Sequence, residues 1–151
     1  MKVCIGADHA GFELKEHLLA RLKARGIEAI DVGTHSTDAV DYPDFGAEVA
    51  RRVSAGECER GILICGAGIG MSMVANKFPG VRAALVGDEY AARMSRRHND
   101  ANVLVMGARV IEPASAGKLT EVWLDTEFEG GRHERRVRKI AEIEESIHCR
   151  S

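Results

Sequence analysis

Five short runs rich in Val, Ile, Leu and Ala alternate with longer amphipathic stretches across the 151 residues, and this alternation restricts the possible folds more than any other feature. The runs lie at 3–6, 28–32, 61–65, 82–86 and 102–106. At four or five residues each, with Gly, Cys or Asp near their ends, they read as strands. Between them, 12–25 sets Phe12, Leu14, Leu18, Leu19 and Leu22 at broadly helical spacing and stops at Gly26, a residue suited to a helix C-terminus. Further helices are expected over 43–54, 70–77, 89–98 and 114–126, the last with Pro113 in its first turn. A polar helix over 131–147 closes the chain. Strands separated by helices pair in parallel, with helices on both faces and right-handed crossovers. The expected class is α/β: one doubly wound domain, 1–151, around a five-stranded parallel sheet. The closing helix has little apolar stripe for a monomer core and is expected to pack on a partner subunit.

Bulk properties exclude several functions. With 21 basic against 23 acidic residues, the formal charge is −2 and only 5% of residues are aromatic, so neither a basic field nor a stacking platform for nucleic acid is present. The N-terminus enters a strand directly, and no apolar run approaches the roughly 20 residues of a membrane span. The four cysteines form no C-x-x-C pair and have no histidine at zinc-finger spacing. Reduced thiols, no metal and a cytoplasmic location are expected, without membrane or nucleic-acid partners.

In such a sheet, ligands bind beyond the carboxyl ends of the strands. Asp8 and His9 fall there, as do Cys65 through Gly70, Gly87 with Asp88, and Arg109. The strand after His98 is expected to carry that residue to the same edge. The most distinctive segment is 61–70, Gly-Ile-Leu-Ile-Cys-Gly-Ala-Gly-Ile-Gly. Its glycines let backbone N–H groups approach an anion, and the following helix start adds partial positive charge. Cys65 at its head reads either as a small buried hydrophobe or as a thiol activated by that environment. Two other loop readings stay open: a dinucleotide loop, weakened by Met71 at its sixth position, and a phosphocysteine carrier loop. Asp8 is either a helix cap or a hydroxyl ligand, with His9 beside it. His98 and Asn99 suit a helix C-terminus, and His98 could also serve as acid and base. Arg132 and Arg136, four apart, share a helix face that is either solvated or shaped to fork onto a phosphate.

Taken together, seven ordered blocks bear a family resemblance. They are Asp8-His9-Ala10-Gly11-Phe12; Asp41-Tyr42-Pro43; Ile64 through Ser72; Ala75-Asn76-Lys77; Ser95 through Asn102; Gly107-Ala108-Arg109; and Glu129 through His133. In that order the chain resembles the type B ribose-5-phosphate isomerases, a family that includes the galactose-6-phosphate isomerase subunits. The resemblance spans essentially the whole chain. It implies a Rossmann-like sheet, no cofactor, and an aldose–ketose isomerase acting through an enediolate on a phosphosugar. Ribose 5-phosphate is the default substrate; six-carbon aldose phosphates are the alternative. It further implies Cys65 as proton acceptor and His98 as the group that opens the furanose ring. Asp8 and His9 match sugar- and phosphate-proximal positions; Gly66, Ala67, Gly68, Ile69 and Gly70 match the enediolate donors. Asn99 and Arg109 match further ligand contacts, and Arg132 with Arg136 the phosphate clamp. The site would be shared between subunits of a homodimer or dimer of dimers. One branch of the family carries a glutamate base where this chain has Met71, which implies the cysteine type here. Ala67 lacks the hydroxyl frequent at its position, and Ser72 is the candidate to compensate.

Overall fold

The computed structural model describes residues 1–149; the last two of the expected 1–151 domain lie outside them. Its elements run β1 (Lys2–Ala7), α1 (Phe12–Ala24), β2 (Glu28–Asp31), α2 (Tyr42–Ser54), β3 (Arg60–Cys65), α3 (Ile69–Ala75), β4 (Ala83–Leu85), α4 (Glu89–Arg97), β5 (Val103–Gly107), α5 (Pro113–Asp125) and α6 (Arg132–His148). The five strands form one parallel sheet in the order β2-β1-β3-β5-β4. The expected α/β class and five-stranded parallel sheet are what the chain forms.

Period-two alternation sorts the strand residues between two apolar layers. Val3, Ile5, Ile62, Ile64, Leu104 and Met106 face α1, α4 and α5, packing on Leu14, Leu18, Leu22, Ala92, Leu119 and Trp123. Cys4, Leu63, Cys65, Val103 and Val105 face α2 and α3, packing on Val49, Val53, Met71 and Ala75. No helix among the described residues is long and apolar enough to cross a membrane.

One expectation fails. Cys4 and Cys58 form a disulfide, against the expectation of reduced thiols. Cys58 lies in the turn ahead of β3, and pairing of Val3 with Arg60 brings that turn beside β1. A register between strands almost 60 positions apart is a tertiary fact that cysteine spacing does not reveal. The apolar residues Ile140, Ile143 and Ile147 of α6 are all more than half exposed and add nothing to the core. Together with Val81, Ala83 and Ala84 beside the sheet's free edge they line an open cleft of about 650 Å³.

Candidate active site

The sheet order reverses around β1: α1 leads from β1 to β2 on one side, and α2 leads from β2 across to β3 on the other. Such a switch point opens a crevice at the carboxyl ends of the two central strands. Ala7 pairs with Ile64, and the Asp8 N–H continues that ladder to the Ile64 carbonyl at 3.2 Å. Asp8 and Cys65 therefore stand side by side. Asp8 is buried, and its Oδ1 accepts the Gly11 N–H at 3.1 Å. It closes the turn ahead of α1 rather than serving as the N-cap, a position held by Gly11. His9 accepts the Val40 N–H on Nδ1 at 3.1 Å, which assigns its ring proton to Nε2.

Cys65 ends β3 as a buried residue, 6% exposed, and the Gly68 N–H donates to its sulfur at 3.1 Å. That contact depends on Gly68 adopting φ +82°, where a side chain is strained; a Cβ there would also strike Leu85 and the Met106 carbonyl. Ala67 and Ile69 are exposed, Gly66 and Gly70 half-buried. Arg109 follows β5, donating its N–H to the Gly66 carbonyl at 3.0 Å, and its guanidinium lies over Gly66. Met71 is fully buried in the core. The Ser72 hydroxyl donates to the Ile69 carbonyl at 2.7 Å, so it is tied into α3 rather than standing in for the hydroxyl missing at Ala67. Tyr42, which sequence reasoning did not single out, lays its ring against Gly70; its place in the Asp41-Tyr42-Pro43 block was the available signal.

The other candidates occupy the opposite edge, which corrects the expectation that one sheet edge gathers them all. α4 runs back along the sheet, so His98 at its C-cap precedes the amino end of β5. Cys65 pairs with Gly107 at the far end of that strand. Five strand residues span about 16 Å, too far for a proton to pass between Cys65 and a substrate held at His98. Beside His98 lie exposed Asn99 and, from the first turns of α6, exposed Arg132 and Arg136. His133, also missed by sequence reasoning although it adjoins Arg132, stacks on His98 with ring centroids 4.0 Å apart and planes 10° from parallel. Burial, with His98 and Arg132 adding to it, holds the His133 pKa below the usual imidazole value. Glu129 approaches His98 Nε2 at 3.9 Å and accepts from Arg97 Nε at 3.0 Å. His98, Glu129 and His133 each offer one potential metal-ligand atom within 4.8 Å of the others; the parallel imidazole planes, however, keep the in-plane lone pairs of the two rings from converging.

The chain thus carries two separate clusters, each a candidate half-site: a thiol with a glycine loop, an aspartate and an arginine at one edge, and an imidazole pair with arginines at the other. The sequence pattern described as Ribose/Galactose Isomerase matches residues 3–140. This chain belongs to that family. Within curated relatives, ribose-5-phosphate isomerase B of Escherichia coli is 47% identical, covering 95% of this chain and 97% of its own. Among solved structures, the Clostridium thermocellum ribose-5-phosphate isomerase B superposes with a TM-score of 0.96 at 54% identity, covering 97% of this chain and 99% of its own. The Mycoplasma genitalium ribose-5-phosphate isomerase B with bound ribulose 5-phosphate gives 0.93 at 41% identity, covering 95% and 96%. Both half-sites lie inside the matched region, except that α6 continues beyond residue 140.

Proposed function

We propose that this chain interconverts ribose 5-phosphate and ribulose 5-phosphate, with Cys65 as the base. The observation that carries the reading is the Cys65 sulfur beneath the Gly68 N–H, at the head of a glycine loop, in a chain nearly half identical to an enzyme named for this reaction. His98 assists opening of the furanose ring, passing a proton between the C1 hydroxyl and the ring oxygen. The Cys65 thiolate then removes the proton from C2 of the open aldose, and negative charge develops on O1. N–H groups of the loop 66–70 stabilise that charge, an effect whose loss typically costs about 10²–10³ in rate per donor. The proton returns to C1 while the C2 hydroxyl proton passes to O1, leaving the ketose. Asp8 holds a sugar hydroxyl; His9, Arg132 and Arg136 grip the phosphate, and Asn99 and Arg109 supply further contacts. None of the proposed steps uses a metal or cofactor.

The active unit is a homodimer or a dimer of dimers, with the half-site of one copy facing the opposite half-site of another. Two observations support this. The half-sites lie at opposite sheet edges of one chain, and the isoleucines of α6 stay exposed along a cleft beside the free edge of β4. A single domain, with α6 as the arm that embraces the partner, fits both. We assign the enzyme to the cytoplasm, where phosphosugars are kept; the Cys4–Cys58 disulfide is then an exception to the rule for that compartment. The test is an isomerisation assay across five- and six-carbon aldose phosphates with EDTA present. Turnover favouring ribose 5-phosphate is expected; preference for a six-carbon substrate, or none with any, would overturn the assignment.

A further inference from the structure

His133 is the one residue of α6 that the fold buries among the described residues. Its Nε2 is buried with no hydrogen-bond partner, an arrangement that costs stability and calls for a reason. The reason lies on the face of its ring. The His133 imidazole covers that of His98 at 4.0 Å between centroids, nearly parallel, while Glu129, anchored to Arg97 by a side-chain contact and by its own N–H on the Arg97 carbonyl, faces the His98 edge. One face and one edge of the His98 ring are thereby fixed, leaving rotation about its Cβ–Cγ bond little freedom.

We propose that His133 is a positioning residue, clamping the His98 imidazole face-on so that its nitrogens lie in the plane where a furanose ring is opened. The proposal rests on the reading of His98 as the ring-opening group. Burial favours the neutral form of His133, and a neutral ring can stay stacked whether or not His98 carries the proton in transit, where a charged one would repel it. An aromatic hydrocarbon of the same shape could do the same work, and a small side chain could not.

The test separates ring opening from proton transfer. Ribulose 5-phosphate cannot close a furanose ring, because the hydroxyl that would attack its C2 carbonyl is the one esterified with phosphate. Enzyme-catalysed exchange of its C1 proton in D₂O, followed by proton NMR, therefore reports on Cys65 chemistry alone. His133→Ala should lower kcat for ribose 5-phosphate by about 10–100-fold with little change in KM, the usual scale of misplacing a catalytic group. C1-proton exchange should stay near the wild-type rate, and His133→Phe should retain most of the isomerisation. Equal loss of isomerisation and exchange in His133→Ala, unchanged isomerisation in it, or equal damage from Phe and Ala would each overturn the proposal. His98→Ala serves as the reference. If it spares exchange while His133→Ala does not, only the clamp is wrong; if His98→Ala itself loses both readouts equally, the ring-opening role of His98 falls and the clamp with it.

Discussion

The Gly68 N–H points at the sulfur of Cys65 from 3.1 Å, across the first turn of the glycine loop. A donor so placed is the partner a thiolate takes, and it positions the sulfur toward the crevice that Asp8 also borders. Replacing Cys65 with Ala should lower kcat for ribose 5-phosphate by at least about 10³-fold, within the range for loss of a general base. Phosphosugar affinity, measured by calorimetry, should change little. Full turnover in this variant would remove Cys65 from the reaction.

Separation of the half-sites predicts complementation. Cys65→Ala disables one half-site and Arg132→Ala the other, so each homodimer is inactive. After subunit exchange, statistical mixing leaves half of the dimers mixed, each with one intact site. About a quarter of wild-type activity should then return in a two-fold dimer. Absence of recovery after exchange verified by mass spectrometry would argue for sites within one chain.

Acid should loosen the start of α6. The folded chain holds the His133 pKa below that of a free imidazole, chiefly by burial. The unfolded segment then binds its proton first as pH falls. The stabilising contribution is complete above the free-imidazole value near 6.5 and is lost as pH drops through the lower folded value. Amide protection factors in the first turn of α6, with each rate referred to its intrinsic value at that pH, should fall over that interval in the wild type and far less in His133→Phe. Identical pH dependence in both would show that His133 is not the group responsible.

Lys15 is fully buried in the first turn of α1, its ammonium 2.7 Å from Asp31 and 2.9 Å from Glu16. Because Asp31 keeps some access to water and also accepts the Gly33 N–H, loss of the lysine strands only part of its charge. Lys15→Ala should cost roughly 3 kcal/mol, at the low end for breaking a buried pair, read from the urea midpoint. A shift below about 1 kcal/mol would make the pair equivalent to an exposed one.

The Cys4–Cys58 bond closes a loop of 54 residues. The chain-entropy estimate for that length is about 4 kcal/mol, so Cys58→Ser, or reduction under denaturing conditions, should lower the unfolding midpoint. Activity at ambient temperature should be retained, because neither sulfur belongs to either half-site. Equal midpoints with and without reductant would show that the bond contributes nothing in solution.

Strand and helix positions were legible because they are encoded locally: aliphatic runs of four or five residues and apolar periodicity need no knowledge of the rest of the chain. The carboxyl-edge half-site was legible for the same reason, since Asp8, Cys65 and Arg109 each lie at or within two residues of the end of a strand. His98 was misplaced although the expected β-α-β order held the answer: a helix that leads into a parallel strand ends at that strand's amino end, and only residues beyond β5 reach the carboxyl edge. His133 and Tyr42 went unassigned because their importance lies in what they touch, the His98 ring and Gly70, and those partners are distant in sequence.

By itself, the sequence determined an α/β chain with a parallel sheet, a cysteine heading a glycine loop, and membership in a sugar-phosphate isomerase family, because each of these resides in contiguous segments. Tertiary structure alone decided the Cys4–Cys58 bond, the imidazole stack and the approach of α6 to the C-terminus of α4. Those depend on strand order and on the direction in which each helix returns, which pairing and packing set across the whole chain.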